Sequence, residues 1–150
     1  MIHYLKGDAT DPKELPAIIV HVCNNVGGWG AGFVMALSKK WSKPEISYRT
    51  WKENHILGGV QIVKVEPEIY VANMIAQDGL KHKNDTRSVF IDYKALATTL
   101  CKVYTFAKSH NLSVHMPRIG CGLAGGKWEF VEPIIKEQLR DLEVYVYDFE

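Results

Sequence analysis

Apolar residues along this chain fall into two patterns: short unbroken runs, and runs that recur every three or four positions. Ile2 to Leu5 reads as a short strand ending at Gly7-Asp8, and Ala17-Ile18-Ile19-Val20-His21-Val22 is a continuous apolar run typical of a strand buried on both faces. A turn-rich loop containing Asp11-Pro12 separates them. The glycine-rich segment Asn24 to Gly32 follows the second strand and leads into a predicted helix from about Phe33 to Trp41. Pro44 stands where a second helix would start, and Ile46, Tyr48 and Trp51 carry it to about Asn54, before Gly58-Gly59 end it. Val60 to Val65 and Ile69 to Ile75 then read as two strands of a hairpin, split at Glu66-Pro67.

The stretch from Gln77 to Arg87 is polar, rich in turn formers and without periodicity, which predicts a mobile loop. Val89, Tyr93, Leu96, Leu100, Val103 and Ala107 recur at steps of four and three, placing all of them on one helical stripe. Leu112 to Met116 reads as a strand, Trp128, Val131, Ile135 and Leu139 mark a helix, and Val144 to Tyr147 is a final strand. Strands and helices thus alternate through most of the chain. This predicts an α/β fold with a mostly parallel sheet covered by helices on both faces and ligands at the carboxyl ends of the strands.

At 150 residues and 47% hydrophobic content, the chain can close one core and is expected to form a single domain over 1–150. Lys and Arg total 18 against 17 Asp and Glu, a balance that offers no electrostatic basis for a nucleic-acid or membrane surface. Cys23, Cys101 and Cys121 lack metal-ligand spacing, and neither a leader nor an apolar run of membrane length is evident. The expectation is a soluble, reduced, cytoplasmic protein. The six histidines stand apart from cysteines and carboxylates at zinc-site spacing, so neither a metal nor a cofactor is expected.

The chemistry concentrates where the two glycine-rich segments follow strands. In Asn24 to Gly32 the small residues Gly27, Gly28, Gly30, Ala31 and Gly32 let backbone approach a ligand, and Asn24 and Asn25 offer amides for sugar hydroxyls or a water. A tight strand-to-helix turn would read the same way. Between Pro117 and Trp128, four glycines fall within seven residues ahead of a helix, where backbone N–H groups can grip a phosphate. Neither segment is a dinucleotide fingerprint or a P-loop, which argues against an NTPase. Asp8 can accept a hydrogen bond from an amine such as adenine N6, although a turn aspartate has the same appearance. His21, in its apolar run, is either a general acid or base titrating near neutral pH or a core histidine.

The segment Ile18 to Gly32, with Gly7-Asp8 before it and Pro117-Arg118-Ile119-Gly120-Cys121-Gly122-Leu123 after it, resembles the macrodomain family of ADP-ribose binders over nearly the whole chain. Within that family it is most similar to the branch of the ADP-ribose 1''-phosphate phosphatase and the terminal ADP-ribose glutamate hydrolase. The resemblance implies a three-layer α/β/α fold with a mixed, mostly parallel sheet. It implies that Asp8 takes the adenine with Ala9 beside it, and that Asn24 and Asn25 face the distal ribose. Gly30, Ala31 and Gly32 would wrap the diphosphate with Gly120, Cys121, Gly122 and Leu123, and Gly28, Trp29, Phe33, Ile119 and Ala124 complete the ligand set. His21 and Asn25 would be catalytic, Asn25 positioning a water that attacks near the distal ribose. Two departures bear on mechanism: Ala124 stands where the glutamate hydrolases carry an aspartate, and the lysine they use after the fourth strand is missing. The resemblance therefore leaves open a phosphatase, a non-catalytic reader of free or protein-linked ADP-ribose, and a hydrolase of ADP-ribosylated protein or nucleic acid.

Overall fold

The computed structural model describes residues 1–51, 55–82 and 84–149. The chain runs β1 (Ile2–Lys6), β2 (Ala17–Asn24), α1 (Phe33–Lys40), α2 (Lys43–Arg49), β3 (Val60–Glu66), β4 (Ile69–Gln77), α3 (Tyr93–His110), β5 (Ser113–Met116), α4 (Trp128–Gln138) and β6 (Val144–Asp148). The strands form one six-stranded sheet in the order β1-β6-β5-β2-β4-β3. All neighbours pair in parallel except β3, which runs antiparallel to β4 as the hairpin pattern required. The expected mixed, mostly parallel sheet is therefore present.

The period of two along β2 divides its side chains between two cores. Ile18 and Val20 pack on one face with Leu96, Leu100 and Val103 of α3 and Val131 and Ile135 of α4. Ile19 and Cys23 pack on the other with Val34 and Leu37 of α1, Tyr48 of α2, and Trp29. Helices thus cover both faces, which is why the central strands are apolar without alternation.

The boundaries of two helices depart most from the pattern. Val89 continues the stripe of α3 in spacing but lies outside the helix and is exposed. The Asp92 side chain accepts from Ala95 N at 2.9 Å and caps the helix there, while Phe90 N and Ile91 N donate to Ala124 O instead. The second helix ends at Arg49, with Thr50 as its C-cap and Trp51 outside it, and Asn54, its expected end, lies outside the described residues. At the other end of α3, Asn111 adopts the left-handed conformation at φ 55° and stops the helix.

Candidate functional site

The carboxyl ends of β2, β4 and β5 open into a cavity of about 810 Å³. Its lining includes backbone or side chains of His21, Asn24, Gly28, Trp29, Gly30, Ala31, Gly32 and Phe33 from the first segment, and Ile119, Gly120, Gly122, Leu123 and Ala124 from the second. Asp8, Ala9, Asn25 and Cys121 lie off that lining. The two glycine-rich segments therefore face each other across one space.

The first segment is shaped from Asn24 outward. Its Oδ1 accepts from Val26 N at 3.0 Å and Gly28 N at 2.9 Å, and its Nδ2 donates to Gly28 O at 2.9 Å. The buried Tyr48 hydroxyl sits 2.7 Å from Asn24 O and 3.0 Å from its Oδ1. Asn24 thus folds the loop with its own amide. The loop then enters α1 through Gly32, at φ 83° and with no side-chain cap, leaving the positive helix end open toward the cavity. At Gly30 nothing lies within 4 Å of the position a Cβ would take, so protein packing does not demand glycine there. The same holds at Gly122 in the opposing loop.

The second segment folds back on itself, with Gly126 N donating to Gly120 O at 2.7 Å and Gly125 N to Gly122 O at 3.1 Å. The Arg118 guanidinium tethers it to the sheet, donating from Nε and Nη2 to the two Asp148 oxygens, both at 2.9 Å. The rings of Tyr4 and Trp128 each lie 4.9 Å from that guanidinium. Arg118 holds the Asp148 carboxyl below the usual carboxylate range.

His21 lies in the middle of β2, only 2% exposed, with Trp29 edge-on at 5.3 Å and Phe33 tilted at 5.9 Å. Its Nε2 is 2.6 Å from Asn73 Oδ1. Asn73 Nδ2 donates to Pro44 O and Gln61 Oε1, so both amide protons are committed and Nε2 of His21 must carry the proton. Nδ1 is then an acceptor. Burial pushes His21 down to about 4, so at neutral pH it is uncharged rather than titrating as its type suggests.

The Asn25 amide is engaged by the segment after β4: its Nδ2 donates to Asp78 Oδ1 at 3.0 Å and its Oδ1 accepts from Gly79 N at 2.8 Å. Asp8 closes its own turn, accepting from Thr10 N at 2.8 Å and Thr10 Oγ1 at 2.7 Å, beside a buried Ala9. Trp29 donates from Nε1 to Ser38 Oγ and packs on Tyr48. The polar loop residue Lys83 lies outside the described residues.

Sequence reasoning did not single out Arg49, Gln77, Leu80 and Arg118 as site residues, yet all four line the cavity. Arg118 could have been suspected from its place in the glycine motif. Arg49 could not, because only the turn after α1 brings α2 against the first loop, where Arg49 reaches Gly27 O and Trp29 O at 3.4 and 3.3 Å. Among the described residues the lining carries the two arginines and no carboxylate. Both guanidiniums are paired outside the lining, Arg49 with Glu45 at 2.8 Å and Arg118 with Asp148 at 2.9 Å.

No family model matches the chain. A Bacteroides thetaiotaomicron protein of unknown function superposes with a TM-score of 0.93 at 51% identity, covering 99% of this chain and 98% of that one. A macrodomain protein from Streptomyces coelicolor superposes with a TM-score of 0.86 at 45% identity, covering 99% of both chains. Among curated proteins, the ADP-ribose 1''-phosphate phosphatase of Lodderomyces elongisporus is 26% identical over 98% of this chain and 99% of its own length. The mouse chromodomain-helicase-DNA-binding protein 1-like is 31% identical over 99% of this chain, which spans only 18% of that relative's length. No helix among the described residues is long and apolar enough to cross a membrane. The sheet order, the paired glycine loops and these likenesses lead to one conclusion: the chain belongs to the macrodomain family.

Proposed function

We propose that the cavity binds ADP-ribose through its diphosphate and that the protein acts in the cytoplasm as a hydrolase, releasing phosphate from ADP-ribose 1''-phosphate. The observation that carries the reading is the pair of open glycine positions, Gly30 and Gly122, facing each other beside the uncapped start of α1. Backbone N–H groups there can approach phosphate oxygens without a Cβ in the way, and the helix dipole adds to the attraction. Arg49 and Arg118 also line the cavity, each already paired with a carboxylate, Glu45 and Asp148. In the hydrolysis, the water oxygen bonds to phosphorus, the bond from phosphorus to the ribose O1'' breaks, one water proton ends on that oxygen and the other stays on the released phosphate. Neutral His21 offers Nδ1 as an acceptor that orients the water. The phosphatase relatives, similar over their whole length, support this substrate.

A second reading is a module that binds ADP-ribose without turnover. It is favoured by a lining without a carboxylate and by the depressed basicity of His21. Calorimetry with ADP-ribose and a phosphate-release assay on ADP-ribose 1''-phosphate separate them. Binding with release that His21→Ala abolishes supports the phosphatase, binding without release leaves the module, and no binding removes both.

A further inference from the structure

Behind the first glycine-rich segment, one carboxylate that does not line the cavity gathers both ends of Trp29. Glu45, in the first turn of α2, accepts from Arg49 Nε at 2.8 Å through Oε2 and from Ser38 Oγ at 2.9 Å through Oε1. Arg49 stands one turn further along the same helix, which is why the pair forms. From there its Nη2 reaches Trp29 O at 3.3 Å and its Nη1 reaches Gly27 O at 3.4 Å. Ser38, on α1, accepts from Trp29 Nε1 at 2.7 Å while its own hydroxyl proton goes to Glu45. Glu45 thus grips the main-chain carbonyl of Trp29 through Arg49 and its indole through Ser38. The bond from Arg49, and after it the one from Ser38, holds the Glu45 carboxyl below the usual carboxylate range, so it is ionised at neutral pH.

From this arrangement we infer that Glu45 is a positioning residue for diphosphate recognition, fixing the peptide unit between Trp29 and Gly30, through Arg49 and Ser38, so that the Gly30 N–H faces the ligand. This role rests on the proposed binding of ADP-ribose. The 29–30 peptide is trans and planar, so its N–H points opposite to its C=O. With Trp29 O turned toward the Arg49 guanidinium, the Gly30 N–H is turned away from it. Gly30 lines the cavity and has nothing within 4 Å of its Cβ position, so no packing of its own holds this peptide. The residue before it does: Trp29 is 5% exposed, edge-on to His21 and packed on Tyr48, and the two arms from Glu45 fix it at ring and backbone. Removing the carboxylate lets the guanidinium turn to other acceptors and the peptide rotate, which sets a carbonyl oxygen against the diphosphate in place of a donor. Glu45 and Ser38 lie off the lining and act only through the loop. Because the diphosphate is the centre of the ligand, the role of Glu45 is the same whichever end of the cavity takes the adenine.

The test is calorimetric titration of wild type, Glu45→Gln, Gly30→Ala and the double variant with ADP-ribose, each well below its melting transition. Glu45→Gln keeps the length of the side chain and an acceptor for Ser38 but removes the charge that holds Arg49. It is expected to weaken binding about fivefold or more. Gly30→Ala alone, whose methyl keeps phosphate from this N–H, is expected to weaken it about tenfold, still within reach of titration. In that background Glu45→Gln is expected to change affinity by less than about twofold, because both act on one contact. A Glu45 that serves stability alone lowers Tm and leaves the affinity of the folded protein unchanged, or its loss adds to that of Gly30→Ala; either result overturns the role. Ser38→Ala, which cuts the indole arm and leaves the ion pair, carries the same comparison where Glu45→Gln fails to fold. No binding of ADP-ribose by wild type overturns the reading of the cavity instead.

Discussion

Gly122→Ala and Gly125→Ala lie three residues apart in one loop and are expected to fail in opposite ways. At Gly122 no atom lies within 4 Å of the added methyl and φ is not in the left-handed region, so the fold tolerates it. The lost backbone freedom of the unfolded chain adds about 0.4–1 kcal/mol of stability, a rise in Tm of about 1–4 °C for a chain of this size. The same methyl projects into the cavity and keeps a diphosphate from the backbone N–H groups. Losing one hydrogen bond to a charged group, about 1.5–3 kcal/mol, weakens ADP-ribose binding by about 10- to 100-fold. At Gly125 φ is +74° and the methyl would stand 2.0 Å from Ser88 O and 3.3 Å from Val89 Cα, both backbone atoms. A left-handed alanine costs about 1–2 kcal/mol. Displacing residues 88–91 also threatens the bonds from Phe90 N and Ile91 N to Ala124 O, at 2.7 and 3.0 Å, worth about 1 kcal/mol each. The sum, about 3–4 kcal/mol, corresponds to a Tm loss of about 6–16 °C. Scanning calorimetry and titration with ADP-ribose read both variants. Wild-type affinity in Gly122→Ala would refute the close approach of phosphate to this loop, and an unchanged Tm in Gly125→Ala would refute the packing argument.

Two further outcomes concern the interior. His21 and His115, 2% and 0% exposed, are both lowered to about 4 by burial. The folded state thus resists protonation that the unfolded chain accepts near 6.5, so the stability they lend is present above 6.5 and is lost as pH falls toward 4. By pH 4.5 each loss is on the order of 2–3 kcal/mol, and urea denaturation at pH 7 and 4.5 should show it; equal stability would mean that both rings charge within the fold. Asn73→Leu leaves the His21 Nε2–H without its acceptor and Pro44 O and Gln61 Oε1 without their donor, a loss of about 2–4 kcal/mol. A denaturation midpoint within error of wild type would show that water replaces Asn73.

The elements were legible where burial on two faces or one stripe is repeated without interruption. The run Ala17 to Val22 announces a central strand because both of its faces meet helices, and Leu96, Leu100, Val103 and Ala107 announce α3 because one face meets the sheet. Boundaries were legible only where a local side chain marks them. Asp92 does mark the start of α3, but the apolar Val89 three residues earlier keeps the same spacing and masks it. The polar stretch after β4 is a loop, as its composition predicts, but the ties that hold its start were not legible. Composition reports how much a segment can bury, whereas Asp78 and Gly79 are held by hydrogen bonds to residues 25 and 90, which are distant in sequence.

Asn24 and Asn25 show how far the candidate site could be read. The family resemblance sends both amides to the distal ribose, and as residue types in a glycine-rich turn they are interchangeable. Their surroundings separate them: Asn24 reaches the cavity but gives its amide to residues 26, 28 and 48, and Asn25 gives its own to residues 78 and 79. Asn24 is held mainly within its own loop, by residues 26 and 28, whereas the partners of Asn25 arrive from the segment after β4 and have no signature in the loop. Glycine is more legible because what it offers is local. Where φ is positive or a neighbour's backbone is close, as at Gly125, the protein itself requires it; where neither holds, as at Gly30 and Gly122, the space beside it is open. In the proposed reading, these open positions are where phosphate oxygens approach the backbone. The reaction depends instead on polar groups such as His21, whose charge and tautomer are set by burial and by Asn73 on a neighbouring strand.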